Sequence, residues 1–201
     1  EKEIPLVVFD RVTPHLKAPS VRIDNEDGGF QATEHLIEQG YKRIAILAGP
    51  KNLDISNKRM DGYLAALKKH GIKVDQSLII HCDFNQDYAF FATEELLEIK
   101  KRPDAIFTIS DRMAIGAMQA IKKKGLDMPH DIGLVGFNDE PILSLVSPTI
   151  SSVEQPSFEL GKITAKLFID AMHNNGDMND VEKVLKPKLY VRKSSQKIII
   201  K

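Results

Sequence analysis

Short runs of apolar and β-branched residues alternate along the chain with longer stretches in which apolar residues recur every three or four positions. Runs such as IAILAG, AIFTIS and IGLVGF are almost entirely apolar, which is typical of strands buried on both faces of a parallel sheet. The strands that this pattern predicts are Ile4–Asp10, Val21–Asp24, Arg43–Gly49, Leu78–Asp83, Ala105–Ser110, Ile132–Asn138, Ser151–Gln155 and Lys188–Arg192.

The longer stretches have the period of amphipathic helices, and three of them end in a glycine, at Gly40, Gly71 and Gly125. Glycine readily takes the left-handed conformation that closes a helix. A further helix is predicted over Phe158–His173. Strands that alternate with helices, joined by right-handed crossovers, predict an α/β fold with parallel sheets flanked by helices.

The composition is that of a folded protein, with 42% hydrophobic and 28% charged residues. The 28 basic residues balance the 28 acidic ones, so the basic excess typical of a nucleic-acid-binding module is missing. No apolar run reaches the roughly 20 residues that span a bilayer. Since the chain begins at Glu1 without a Met or a secretory leader, we expect a fragment or processed chain of a cytoplasmic protein.

Polar residues follow most of the predicted strands, and ligands of open parallel sheets bind at the carboxyl ends of the strands. Such residues suit a small polyhydroxyl or heterocyclic ligand, to which Phe84 would offer a flat apolar face. The alternative is that they cap the following helices, which fits Asp111 best. The residue pairs concerned are Asp10-Arg11, Asp24-Asn25, Gly49-Pro50, Asp83-Phe84, Ser110-Asp111 and Asn138-Asp139.

The segment GPKNLDISNKRMDGY contains a turn and a polar loop before a helix that is predicted to begin near Ser56. Arg59 would then lie in the first helical turn, where the helix dipole disfavours a cation. An arginine at such a position often has an anionic or hydroxyl partner. The alternative is an arginine that faces solvent.

Searches for catalytic and metal-binding motifs find none, since GxGxxG, GxxxxGK[ST], GxSxG and HExxH are absent. We therefore expect neither a metal nor a cofactor. The single cysteine, Cys82, excludes an internal disulfide framework and is interpreted as a core residue. An enzyme would need an acid–base pair at the strand ends, and the carboxylates available there form no recognisable pair: Asp10, Asp83, Asp111 and Asp139.

Five segments, in this order, resemble the LacI/GalR-type bacterial transcriptional regulators: IDN…GGFQATEHLIEQGYKRIAILAGP, NKRMDGYLAALKKHGI, AIFTISDRMAIGAMQAIKKKGLDMPHDIGLVGFND, SPTISSVEQP and LYVRKSS. The resemblance extends from about Pro5 to Ser195. It implies two α/β lobes related to periplasmic sugar-binding proteins and joined by three crossovers. Residues 1–42 and 155–186 would form a partial N-lobe, and residues 43–154 and 187–201 a complete C-lobe, without the family's helix-turn-helix headpiece.

The resemblance also implies an effector site. Arg59 matches the arginine that contacts the effector in many family members. Asn138 stands where the family commonly has an aspartate, and its amide both donates and accepts, so it would tolerate a wider set of ligands. Leu53 and Ile55 occupy loop positions that are often polar in the family and would make the cleft more apolar. The full set of expected effector-binding residues is Arg59, Phe84, Ser110, Asp111, Asn138, Asp139, Leu53 and Ile55.

The function implied is that of the ligand-sensing domain of a repressor or activator. A sugar, sugar phosphate or nucleobase bound between the lobes would favour one lobe orientation and so change operator DNA binding by a homodimer, with no membrane involved. Helices 57–70 and 112–124 are candidates for the dimer surface. The alternative is a periplasmic sugar-binding protein of a transport system, but LYVRKSS and the VEQP crossover favour the regulator.

Two further expectations follow from the partial N-lobe and from Arg59. An incomplete lobe would expose a strand edge and an apolar face, so the chain is expected to be either a truncated piece of a longer protein or prone to association. Replacing Arg59 by alanine should abolish stabilisation by the effector and leave the melting temperature of the unliganded protein nearly unchanged.

Overall fold

The computed structural model describes residues 6–12, 18–173 and 181–197, and the chain divides into two compact units. Unit 1 comprises Glu1–Asp24 and Gln155–Pro187, and unit 2 comprises Asn25–Glu154 and Lys188–Lys201. The chain therefore passes from one unit to the other three times.

The described residues contain strands and helices in the predicted alternation, together with two short 3-10 helices at Gln76–Leu78 and Pro141–Ser144. The strands are β1 (Val8–Phe9), β2 (Ser20–Ile23), β3 (Ile44–Ala48), β4 (Ile79–His81), β5 (Ala105–Thr108), β6 (Gly133–Asn138), β7 (Ser151–Glu154), β8 (Glu182–Leu185) and β9 (Lys188–Tyr190). The helices are α1 (Asn25–Glu38), α2 (Asp54–Lys69), α3 (Gln86–Glu98), α4 (Asp111–Lys123) and α5 (Ser157–His173).

Unit 2 is built on a six-stranded sheet in the order β4-β3-β5-β6-β7-β9. The strands are parallel except for β9, which runs antiparallel to β7. All residues of β3 and β5 are buried, which explains why these strands are apolar throughout. The α/β prediction with parallel sheets is therefore confirmed. Gly40, Gly71 and Gly125 have φ angles of 87°, 67° and 69°, so the predicted left-handed helix ends are also confirmed.

Helix α1 lies in unit 2, so the boundary expected after residue 42 falls after Asp24 in the structure. The reason is close packing between α1 and α2. A Cβ atom at Gly62 would overlap the carbonyl oxygen of Glu26, and one at Gly29 would overlap that of Arg59. The two helix backbones touch at these glycines, and this contact holds α1 on the six-stranded sheet.

Three observed strands differ from the prediction. Strand β1 is limited to Val8–Phe9, and Ile4 and Pro5 lie outside the described residues. Strand β4 is an edge strand with half-buried side chains that ends at His81, so Cys82 follows the strand and is only half-buried. Strand β8 has no predicted counterpart, because three of its four residues are exposed and it lacks a continuous apolar run.

Unit 1 contains a three-stranded parallel sheet in the order β1-β2-β8, against which α5 packs. Only two residues of α5 are buried, Leu160 and Ala171. Phe158 is 84% exposed, and Ile169 and Met172 are more than half exposed. Helix α5 therefore carries several exposed apolar side chains. Within the described residues, no helix is long and apolar enough to cross a bilayer.

The chain segment after β9 is fastened to unit 2 by buried hydroxyl groups. Ser194 Oγ accepts a hydrogen bond from the amide of Ser151 and donates one to the carbonyl of Leu134. Ser195 Oγ lies 2.7 Å from His35 Nε2 and 2.6 Å from Ser151 Oγ. Burial lowers the pKa of His35, so its imidazole is neutral at pH 7. The serines of LYVRKSS therefore have a structural role.

Candidate functional site

The carboxyl ends of β3, β4, β5 and β6 meet at one edge of the six-stranded sheet, because these strands are parallel. We call this the carboxyl edge. It is formed by the last residue of β6, the residues that follow the four strands, and the start of α2. The expected effector-binding residues are all found at these positions, on unit 2.

Arg59 is buried at the carboxyl edge, with 3% of its surface exposed. Its Nε donates a hydrogen bond to Asn25 Oδ1 at 2.8 Å, and its Nη1 donates to the carbonyl of Ile109 at 2.6 Å. The guanidinium carbon lies 3.6 Å from the ring centroid of Phe137. A buried cation needs such hydrogen bonds and a polarisable neighbour. The alternative of a solvent-facing arginine is therefore wrong.

The start of α2 differs from the prediction. The helix begins at Asp54 and not near Ser56, so Arg59 lies in the second turn. Leu53 is the N-cap residue and makes no side-chain cap hydrogen bond. Ile55 lies in the first helical turn and is buried, whereas a loop position was expected. The helix therefore begins with an apolar residue on either side of Asp54.

Ser56 is a residue of this edge that sequence reasoning missed. It is 2% exposed, and its Oγ has no hydrogen-bond partner among the described residues. A Cβ atom at Gly49 would lie 2.5 Å from Ser56 Oγ and 2.9 Å from both Phe84 Cζ and Ile109 Cδ1. These four residues, which belong to α2 or follow β3, β4 and β5, are thus in close proximity. Phe84 itself is half-buried.

Ser110 and Asp111 have separate roles. Ser110 is the N-cap of α4 and its Oγ accepts a hydrogen bond from the amide of Met113 at 3.5 Å, so Ser110 and not Asp111 caps the helix. Asp111 is completely buried. Its Oδ1 accepts a hydrogen bond from Ser152 Oγ, and its Oδ2 accepts one from the amide of Glu140, both at 2.7 Å. Burial raises the pKa of Asp111 to about 6, although these two hydrogen bonds act in the opposite direction.

Asn138 and Asp139 form a turn at the end of β6, and both have positive φ angles, of 119° and 59°. The carboxylate of Asp139 accepts hydrogen bonds from Arg192 Nη1 at 2.6 Å and from Arg192 Nη2 at 3.1 Å. The pairing raises the pKa of Arg192. Arg192 was not among the expected site residues, although its place in LYVRKSS, at the end of the predicted last strand, was a usable signal.

The other residues singled out at strand ends have different surroundings. Asp10 belongs to unit 1 and its Oδ1 accepts a hydrogen bond from Gln155 Nε2. Asp83 is exposed. Burial, with a contribution from Asp83, raises the pKa of Cys82 to about 11, so its thiol is protonated at neutral pH. Among the described residues, no three His, Cys, Asp or Glu side chains are arranged to hold a metal ion.

The chain matches the family described as Periplasmic binding protein-like domain over residues 33–195. The HTH-type transcriptional repressor CytR of Escherichia coli (strain K12) is 36% identical over 168 residues, which are 84% of this chain and 49% of CytR. The HTH-type transcriptional regulator CelR of Thermobifida fusca is 36% identical over 197 residues, which are 96% of this chain and 57% of CelR. The chain thus spans about half the length of the curated relatives it matches.

Several solved structures have the same fold. A complex of the transcriptional regulator CelR with cellobiose has a TM-score of 0.87 and 35% identity, covering 94% of this chain and 58% of CelR. A regulatory protein of the LacI family from Chloroflexus aggregans has a TM-score of 0.88 and 35% identity, and the match covers 95% of this chain and 68% of that protein. A LacI family regulator from Enterococcus faecium with bound ribose has a TM-score of 0.88 and 26% identity, and the match covers 97% of this chain and 72% of that protein.

Proposed function

Because the chain belongs to the LacI family of transcriptional regulators and carries their periplasmic binding protein-like domain, we propose that it senses a small-molecule effector for a DNA-binding regulator. The effector binds at the carboxyl edge and changes the affinity of the whole protein for operator DNA. The observation that carries the proposal is Arg59, a buried guanidinium positioned at this edge by Asn25 and the carbonyl of Ile109.

The effector is a sugar, a sugar phosphate or a nucleobase. Cellobiose bound to CelR and ribose bound to the Enterococcus faecium regulator support the sugar class. Arg59 and Asn138 supply hydrogen-bonding groups for hydroxyls or ring nitrogens, and Phe84 supplies a flat apolar face. Leu53, Ile55 and Ser110 complete the expected surroundings of the effector. Asp111 and Asp139 act on the effector through the turn after β6, since hydrogen bonds within the chain engage both carboxylates.

A thermal-shift panel of sugars, sugar phosphates and nucleobases tests the proposal. A compound present at 100 times its dissociation constant stabilises a protein by about 2.7 kcal/mol. At roughly 2–4 °C per kcal/mol for a chain of this size, the melting temperature should rise by about 5–11 °C. Cellobiose and ribose are the first probes. If no compound of the three classes shifts the melting temperature at 10 mM, the proposed effector chemistry is wrong.

The regulator acts as a homodimer in the cytoplasm, since operators of two-fold symmetry are bound by two-fold symmetric proteins. Helices α2 and α4 are the surfaces that the sequence suggests. The structure adds exposed apolar side chains elsewhere on unit 2, namely Tyr88 and Phe91 on α3 and Leu145, which is 78% exposed. These side chains favour a protein partner because exposed aromatic and aliphatic groups are enriched in homodimer interfaces.

Leu145→Glu should weaken the homodimer, as measured by analytical ultracentrifugation at micromolar concentration. Val74→Glu is the matched control, because Val74 is also an exposed aliphatic residue of unit 2 but lies after α2. The wild-type and control proteins should sediment as dimers and the Leu145 variant as a monomer. A wild-type monomer would contradict the homodimer, and a dimeric Leu145 variant would place the dimer surface elsewhere.

The protein is a binding protein and not an enzyme. Two of the carboxylates at the carboxyl edge are engaged in the fold, since Asp111 is buried and Asp139 is paired with Arg192. The thiol of Cys82, with its raised pKa, is a poor nucleophile at neutral pH.

A further inference from the structure

The turn after β6 has an unfavourable backbone conformation. Asn138 and Asp139 both have positive φ angles, a conformation that is unfavourable for residues other than glycine. Such conformations persist only where the surrounding structure holds them, and they are concentrated at ligand-binding sites. This turn is therefore expected to be held by side chains around it.

Three side chains from three different elements of unit 2 hold it. Asp111, at the start of α4, accepts a hydrogen bond from the amide of Glu140. Ser152, in β7, accepts one from the amide of Asp139 at 3.2 Å and donates one to Asp111. Arg192, after β9, binds the carboxylate of Asp139 through two nitrogen atoms. The contacts to Asp139 and Glu140 restrain the two residues that follow Asn138, and the bond between Ser152 and Asp111 links two of the side chains that make them.

Arg192 is itself held firmly. Its Nη1 also donates to the carbonyl of Ile150 at 2.9 Å, and its amide donates to Ser151 Oγ at 2.7 Å. The side chains of Arg192 and Asp139 are 22% and 14% exposed, so solvent screens the pair only in part. A guanidinium fixed at two places and bound to both oxygens of a carboxylate defines the orientation of that carboxylate, which a single ammonium group does not.

We propose that Arg192 is a positioning residue for the effector. It holds the turn in its left-handed conformation and thereby places Asn138 at the carboxyl edge, although 53 residues separate it from Asp139. The inference rests on the proposed function, because it assumes that the effector binds at this edge. Arg192 does not touch the effector in this proposal, so removing it changes the effector affinity only through the turn.

The first experiment needs no effector. Amide hydrogen exchange at Asp139 and Glu140 is measured by NMR in the wild type, Arg192→Met, Arg192→Lys and Lys193→Met. Lys193 is exposed and adjacent, so its variant loses the same charge and serves as the control. We expect exchange at least tenfold faster in Arg192→Met, an intermediate rate in Arg192→Lys and no change in Lys193→Met. Wild-type exchange in a folded Arg192→Met would overturn the positioning role.

Asp139→Asn provides a second variant in case Arg192→Met does not fold. This variant keeps the size of the side chain but has no negative charge and only one acceptor oxygen, so it cannot bind the Arg192 guanidinium through two atoms. It should accelerate amide exchange at Glu140 by a factor similar to that expected for Arg192→Met. Unchanged exchange in this variant would likewise overturn the proposal.

The second experiment measures binding of cellobiose and ribose by calorimetry, well below the melting temperature of each variant. A sugar that binds the wild type should bind Arg192→Met at least tenfold more weakly than it binds Lys193→Met. Equal affinities for the two variants would overturn the effector role of Arg192. If the wild type binds neither sugar while hydrogen exchange still responds, the turn-holding role of Arg192 is supported and the sugar class of the proposed function fails.

Discussion

Removing the guanidinium of Arg59 should destabilise the unliganded protein, contrary to the expectation from the sequence. Arg59→Met deletes two hydrogen bonds from a charged donor, each worth about 1.5–3 kcal/mol. It also deletes the contact with the ring of Phe137, worth about 2 kcal/mol at a desolvated site. Methionine fills part of the volume, and the desolvation of the guanidinium, of several kcal/mol, no longer opposes folding.

The net loss in the free energy of unfolding should be about 3 kcal/mol, because removing one partner of a buried polar cluster leaves the other polar groups without it. At roughly 2–4 °C per kcal/mol, the melting temperature should fall by about 6–12 °C. Since the chain has no tryptophan, circular dichroism or calorimetry is the suitable assay.

Lys58→Met is the matched control on the same helix. The Lys58 side chain is 47% exposed, and its ion pair with Glu26 is long, at 3.9 Å, so its loss should change stability by less than about 0.5 kcal/mol. Arg59→Lys should be nearly as unstable as Arg59→Met, because an ammonium group lacks the planar fork that reaches both Asn25 and Ile109. A melting temperature of Arg59→Met within 2 °C of the wild type would refute this reasoning.

Four further variants test other contacts of the fold. Ser56→Ala should raise the free energy of unfolding, measured by urea denaturation, by about 1 kcal/mol, because it removes a buried hydroxyl that has no hydrogen-bond partner among the described residues. A lower free energy of unfolding would mean that the hydroxyl is paired. Folding raises the pKa of Asp111 to about 6, so ionisation of this carboxyl destabilises the folded state relative to the unfolded one. The free energy of unfolding of the wild type, measured relative to Asp111→Asn, should therefore fall as the pH rises from 4 to 7. A difference that stays constant over this range would contradict the raised pKa. Gly62→Ala should lower the free energy of unfolding by about 3 kcal/mol, because its Cβ would overlap the carbonyl oxygen of Glu26. Gly161→Ala, whose Cβ would have nothing within 4 Å, should raise the free energy of unfolding by about 0.5–1 kcal/mol. Similar melting temperatures for the two variants would mean that α1 and α2 do not touch at Gly62.

The apolar pattern determined most of the secondary structure, because strand and helix periods are set by local backbone geometry. It placed β3, β5 and β6 closely and identified the ends of three helices at Gly40, Gly71 and Gly125. It failed for β8, whose residues are mainly exposed and whose partner β2 is distant in sequence. A short exposed strand is specified by its hydrogen-bonded neighbour, and no single-sequence pattern records that neighbour.

The sequence by itself also determined that Phe84, Ser110 and Asn138 lie at or just after the carboxyl ends of parallel strands and therefore share one edge of a sheet. Only the tertiary structure decided how the charges at that edge are used. Arg59 is buried because α1 and α2 pack closely enough to bring Asn25 to its guanidinium. Asp139 is paired because Arg192, 53 residues away, lies beside it in the folded chain. Residue spacing predicts neighbours along an element, but a charge is neutralised by whichever group the packing of distant elements brings within 3 Å or so.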